Sequence, residues 1–282
     1  MDLIITPQIE TLLKSALEED IGPGDITTLN TIPPEHRAKG LFRAKQDCVV
    51  AGVVLLQRIF SLVEPEVKLT VQSQDGAQVG RGTVVAEVEG STRALLMVER
   101  TALNFLQRLS GTATLTRSYV DAVQDFPCKI IDTRKTTPGF RALEKYAVRM
   151  GGGTNHRLGL YDAALIKDNH IVASGSISKA MDRVRGHAPF MARIEVECSD
   201  LNQIEEAVQA GADVIMLDNM NPTQMAEAVK LVNKRAWVEA SGGINMEVVR
   251  DVARAGVDFI SLGALTHSAP AADFNMKIEA NR

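Results

Sequence analysis

Cysteine is scarce. Cys48, Cys128 and Cys198 are the three in 282 residues, and no two form a CxxC pair. An odd, scattered set excludes a disulfide framework and a zinc knuckle, so the three read as reduced, mostly buried thiols of a cytoplasmic protein. Long apolar runs are absent as well. Nothing approaches the roughly 20 residues that cross a bilayer. The opening MDLIITPQIETLLKSALEED lacks the basic start and apolar stretch of a secretory signal. No membrane partner is expected. Net positive charge is missing too: 31 Lys and Arg stand against 35 Asp and Glu, giving a formal net charge of -4. A general nucleic-acid binder carries a basic face, so nucleic acid is not an expected partner. The chain has no HxH or HExxH for a zinc hydrolase and no GxSxG nucleophile elbow.

What is there is an ordinary globular composition, 45% hydrophobic and 23% charged, in a chain long enough for one large domain or two ordinary ones. Residues 7 to 19 place Ile9, Leu12, Leu13, Ala16 and Leu17 at helical spacing behind a Thr6 cap and Pro7. Asp20 and Asp25, around the turn IGPGDIT, read as capping or loop acids. AKGLFRAK, CVVAGV, VKLTVQ and TVVAEVEG read as short strands, with VVLLQRIFSLV as a helix among them. Residues 91 to 125 form the longest helical region, with an apolar face from Leu95 to Leu109. A mixed α/β domain over 1–110 follows, onto which the C-terminal end of the chain is free to pack back. After Phe126 the strands KIIDT, ALIKD, ARIEVE, DVIMLD, AWVEA and DFISLG alternate with amphipathic segments, the later ones recurring about every 22 residues. That alternation predicts βαβ units on a parallel sheet. So many units suit a closed or nearly closed (β/α) barrel over 111–282, with a doubly wound open sheet as the alternative.

In such a barrel the site lies where the strands end. The ends carry Thr133, Arg134 and Lys135; Lys167 and Asp168; Glu195 and Glu197; Asp218 and Asn219; Glu239, then Ser241, Gly242 and Gly243; and Gly263 before Thr266. The early strands deliver cations. Between Thr133 and Lys167 seven Lys/Arg face two acids, in an otherwise acidic chain. With the triple glycine Gly151 to Gly153 in its middle, this stretch suggests a site for a small, multiply charged anion. The middle strands deliver carboxylates, which hold Mg²⁺ through water or accept from ribose hydroxyls. The late strands deliver glycine loops of the kind that hold phosphate. His156 and His170 lie beside these ends; Glu239 and Asp168 are open to a role as partners of neighbouring cations.

The motifs ERTALNFLQRLSGTAT, DTRKTTPGFRALEKYAVRMGGGTNHRLGL, LIKDNH, EVE, GADVIMLDN, EASGGI and GVDFISLGALTHS resemble, in order and over nearly the whole chain, those of the quinolinate phosphoribosyltransferases. The resemblance implies an N-terminal α/β domain, an incomplete seven-stranded α/β barrel, and a homodimer or higher homo-oligomer. It implies an Mg²⁺-dependent transferase of NAD biosynthesis. That activity converts quinolinate and phosphoribosyl pyrophosphate (PRPP) to nicotinate mononucleotide, pyrophosphate and CO2. Arg134, Lys135, His156, Arg157 and Lys167 then line the quinolinate side, with Thr133 beside them. Arg100 is lent by the neighbouring subunit. Glu197 and Asp218 serve the ribose hydroxyls and Mg²⁺, and Ser241, Gly242, Gly243, Gly263, Ala264 and Leu265 form the 5′-phosphate loops. Lys135, Lys167, Glu197 and Asp218 are the expected catalytic residues, with the choice between the two lysines as proton donor left open. Three other readings compete: transfer to nicotinate without decarboxylation, a non-catalytic oxyanion binder, and an unrelated barrel lyase. The number of basic residues disfavours the first two, and the glycine loops disfavour the third.

Overall fold

The computed structural model describes residues 3–279. In chain order the elements are α1 (Pro7–Ile21), α2 (Ile26–Thr31), β1 (Arg37–Ala44), β2 (Cys48–Val49), α3 (Val53–Ser61), β3 (Lys68–Val71), β4 (Gln78–Val79), β5 (Val84–Ser91) and the long α4 (Thr92–Ala122). Then come β6 (Lys129–Ile131), α5 (Arg141–Met150), β7 (Ala164–Ile166), α6 (Asp168–Ser174), α7 (Ile177–His187), β8 (Ile194–Cys198) and α8 (Leu201–Gln209). The last are β9 (Val214–Asp218), α9 (Pro222–Val232), β10 (Trp237–Ser241), α10 (Val249–Arg254), β11 (Phe259–Ser261), α11 (Ala264–His267) and β12 (Phe274–Glu279). They form two compact units. One holds the chain up to Arg117, Thr137–Gly152 and the tail from Ser268; the other holds Ser118–Thr136 and Gly153–His267. α5 and β12 both belong to the first unit.

In the first unit an antiparallel sheet runs in the order β12-β1-β5-β3. The tail does pack back: β12 pairs with β1 from Lys39 opposite Glu279 to Ala44 opposite Phe274. Thr6 caps α1 by accepting from the Ile9 N–H, Pro7 sits in the first turn, and Ile9, Leu13 and Leu17 are buried. Asp25 caps α2. One core gathers Leu13, Phe42, Leu56, Phe60, Leu103, Leu106 and Leu143 from α1, β1, α3, α4 and α5. Each such side chain contributes about 1.5–3 kcal/mol on burial. Glu144 of α5, fully buried, accepts from Arg108 (3.0 Å), the Thr137 N–H (3.0 Å) and the Thr137 hydroxyl (2.8 Å). Two residues of the triple glycine, Gly151 and Gly152, serve packing here. A Cβ on Gly151 would collide with the Ala113 carbonyl and Thr116, and Gly152 has φ +90°. Neither lines the pocket described below.

The second unit is a parallel sheet in the order β6-β11-β10-β9-β8-β7. Sequence neighbours are spatial neighbours from β7 to β11, and β11 then returns to β6. A doubly wound sheet reverses direction at its middle; this order does not, and is that of a barrel. The seventh strand position is reduced to one parallel bridge, Ile131 to Thr154, beside β6. No ladder joins Thr154 to β7 among the described residues, and there the barrel stays open. Along β8 the side chains alternate: Val196 and Cys198 are buried on one face while Glu195 and Glu197 line cavities on the other. β9 and β10 do the same with Met216 and Asp218, and with Glu239 and Ser241. The helices between them start on side-chain caps, Ser176 for α7, Asp200 for α8 and Asn221 for α9. Among the described residues no helix is long and apolar enough to cross a membrane.

Candidate active site

At the C-terminal ends of the second unit's strands lies a cavity of about 490 Å³. It brings together Thr133, Arg134, Lys135, His156, Arg157, Lys167, Glu197, Asp218, Ser241, Gly242 and Gly243. Those are all the residues expected from the sequence except Arg100 and Gly263 to Leu265. Arg100 is an exposed residue of α4. Gly263 leads into α11, where a Cβ would meet Lys135 and His267, and Leu265 is fully buried. His170 does not line the cavity either: its Nδ1 accepts from the Lys167 N–H (2.9 Å) and caps α6. Leu165, Met216, Asn219, Glu239 and Ser261 complete the lining. Asn219 and Glu239 stood at strand ends in the sequence. Leu165, Met216 and Ser261 carried no signal as functional residues, and only their place on the inward-facing line of each strand would have found them.

The cationic end is held from below. Asp132 is fully buried at the end of β6. It accepts from the Asn155 amide (2.6 Å) and the His156 N–H (2.8 Å), fixing the segment that carries Arg157. The Arg157 guanidinium donates to the Ala163 carbonyl (3.2 Å). Its Nε and that of Arg134 are both buried and without an acceptor. Burial, and then the charge of Arg134, lower the Arg157 pKa. Two guanidinium groups that repel each other and whose Nε atoms lack acceptors are poised for a dianion. Lys167 is ion-paired with Glu197, while the Lys135 ammonium has no partner among the described residues.

Beneath them, His156 Nε2 lies 2.9 Å from Glu195 and 3.5 Å from Glu239. Burial alone would lower the His156 pKa; hydrogen bonds to the two carboxylates and their charge outweigh it and raise it from 6.5 to about 10. Burial holds the Glu195 carboxyl above the usual carboxylate range. Nδ1, however, faces the Arg157 N–H at 2.8 Å and so presents a lone pair. The Nε2 proton is the one held between the two carboxylates. Glu239 thus partners an imidazole, not a lysine or arginine.

At the opposite end, the turns that follow the parallel strands β9 and β10 meet. Asn219 has φ 54° and its N–H donates to the Ser241 carbonyl (3.0 Å). Gly242 follows with φ +94°, where a Cβ would strike the Asn219 side chain. Only glycine lets the two turns approach so closely. Cys198 is on the buried face of β8, with burial pushing its thiol to about 12; it is no nucleophile.

Cations at one end, carboxylates at the ends of the middle strands and a glycine loop at the other end define an incomplete (β/α) barrel for anionic substrates. The family can be named: the chain belongs to the quinolinate phosphoribosyl transferases. The family's C-terminal domain profile matches residues 112–277 and its N-terminal domain profile residues 25–110. The chain is 46% identical over 271 residues to the probable nicotinate-nucleotide pyrophosphorylase [carboxylating] of Bacillus subtilis, covering 96% of this chain and 93% of that one. The crystal structure of NadC from Streptococcus pyogenes superposes with a TM-score of 0.94 at 46% identity, covering 98% of both chains. The nicotinate-nucleotide pyrophosphorylase from Francisella tularensis gives a TM-score of 0.93 at 36% identity over 97% of this chain and 98% of that one.

Proposed function

We propose that this cavity seats quinolinate between Arg134, Arg157, Lys135 and Lys167, and PRPP between Glu197, Asp218 and the Ser241–Gly243 loop. The chain is a pentosyltransferase of NAD biosynthesis that transfers phosphoribose from PRPP to quinolinate with decarboxylation. The observation that carries the assignment of the site is the pair of buried, acceptor-free Nε atoms on Arg134 and Arg157, matched to a substrate with two carboxylates. Arginine forks hold the dicarboxylate so that its ring nitrogen faces ribose C1. The N–C1 bond forms as the C1–O bond to pyrophosphate breaks. Glu197 and Asp218 stabilise the positive charge that develops on the sugar. The product's pyridinium accepts the electron pair when the C2–carboxylate bond breaks, and C2 then takes a proton. Lys167 is tied to Glu197, so Lys135, whose ammonium is unshared, is the donor we favour.

Two carboxylates at the ends of adjacent strands, next to a phosphate-binding loop, are the hard oxygen donors that suit Mg²⁺, which keeps water and takes the remaining ligands from substrate phosphates. Glu197 and Asp218 would hold it. When bound it supplies charge to the leaving pyrophosphate. We further propose that the protein works in the cytoplasm as a homodimer or higher homo-oligomer, in which a second copy supplies Arg100. Three free, buried thiols support the first point, and the exposed Arg100 supports the second. The deciding experiment is release of labelled CO2 from carboxyl-labelled quinolinate in the presence of PRPP and Mg²⁺. PRPP-dependent release is expected. Its absence from folded protein would sink the reading, and nicotinate turnover in its place would identify a transferase without decarboxylation.

A further inference from the structure

The barrel interior is not filled. Barrel cores of this kind are normally packed by layers of bulky branched side chains. Here the middle layer is His156, Glu195 and Glu239, whose ligating atoms lie within 4.8 Å of one another. Below that layer, towards the strands' starts, lies a second cavity of about 360 Å³. Its walls include Ile131, Val214, Phe259 and Trp237, the one tryptophan of the chain. Trp237 is 43% exposed. The Phe259 ring meets it edge-on at 5.4 Å, and the Arg193 guanidinium lies over its ring at 3.9 Å from the centroid. Lys129 adds a second cation. The opposite wall carries Glu195 and Glu239, 6% and 2% exposed, and each has a buried Oε1 with no hydrogen-bond partner. Buried acceptors without donors are unfavourable, and a donor brought into this chamber would relieve them.

We propose that this lower chamber is a second small-molecule site, for a flat aromatic monoanion that also bears an N–H donor. Its ring packs against Trp237 and Phe259. Its anionic group takes Lys129 and Arg193, and its N–H takes the unpartnered oxygens of Glu195 and Glu239. Such amphoteric ligands are sorted from the dicarboxylate of the upper cavity by charge: a second carboxylate would face Glu195 and Glu239. A metal ion is the weaker occupant, because the Arg157 N–H at Nδ1 leaves His156 Nε2 protonated and without a lone pair to give.

The probe is 4-aminobenzoate, titrated into the full-length protein with quinolinate at saturation so that the upper cavity is occupied. Calorimetry and the emission of Trp237 are read together. Expected are saturable binding of one molecule per chain, a change in Trp237 emission with the same midpoint, and binding of benzoate, which lacks the N–H, weaker by about tenfold or more. Arg193→Ala should weaken binding similarly, and Val214→Phe, which narrows the chamber, should abolish it; both should keep quinolinate turnover. No saturable signal at millimolar probe, equal binding of benzoate, or displacement by quinolinate would each overturn the proposal. If Val214→Phe does not fold, the Arg193→Ala comparison still decides.

Discussion

Arg157 meets the cavity with a buried Nε that lacks an acceptor, and it sits on a segment fixed by Asp132. Replacing it by alanine removes a charged hydrogen-bond partner of quinolinate, worth about 1.5–3 kcal/mol. Arg157→Ala should therefore raise the quinolinate KM by roughly 10–150-fold and leave the PRPP KM near its original value. Equal loss for both substrates would move Arg157 out of the quinolinate end. His156 makes a prediction in pH. Its pKa is about 10 in the folded chain against 6.5 ordinarily, so the folded state holds a proton that the unfolded chain releases above 6.5. That stabilisation is complete below pH 6.5 and is lost as pH rises through about 10. In denaturant titrations, the stability advantage of the native protein over His156→Gln should be largest below pH 6.5 and shrink steadily up to pH 10. An advantage that stays constant would place the proton elsewhere in the cluster.

At the scale of elements, one device recurs in the barrel. Asp213 ahead of β9 accepts from the Ile194 N–H at the start of β8 (2.8 Å), and Asp258 ahead of β11 accepts from the Val238 N–H of β10 (2.8 Å). Each pins a parallel strand to its neighbour in register. Asp258→Ala should cost about 1–3 kcal/mol, seen as a lower denaturant midpoint with an unchanged slope. The turn after β10 is pinned differently: Gly242→Ala has no room and the wrong φ, so it should raise the PRPP KM more than the quinolinate KM. Strands such as IEVEC and VIMLD were legible in the sequence because they are short, β-rich and spaced by amphipathic helices. Their ends named most of the cavity. β12 was not legible as a strand, since what makes FNMKIE one is β1, more than two hundred residues earlier. The seventh strand was not legible as a single bridge at Thr154, because the length of a ladder depends on its neighbours. Within the triple glycine the role of Gly151 was not legible, for local sequence does not distinguish a glycine that admits a ligand from one that admits Ala113. Glu195 and Glu239 looked like strand-end acids; only the fold brings them to one imidazole.

At the scale of the whole molecule the open question is whether one chain makes a complete site. The cavity's lining draws on the second compact unit throughout, and Arg100 is not in it. Arg100 stands exposed on α4, where its charge acts on the neighbouring Glu99, and an exposed guanidinium is within reach of another chain's substrate. If a second copy supplies it, Arg100→Ala and Arg157→Ala homodimers are each impaired at both sites, for different reasons. Mixing them under conditions that allow subunit exchange gives heterodimers in which one site has its own Arg157 and the neighbour's Arg100. The other site lacks both. With random exchange half the dimers are mixed and half their sites are intact, so activity should recover to about a quarter of that of the native protein. If Arg100 instead serves its own chain's site, no mixed dimer contains an intact one and activity stays at the level of the parents. Native mass spectrometry of the same mixture establishes that exchange took place. Recovery near a quarter supports the shared site, and none, with exchange proven, removes Arg100 from it.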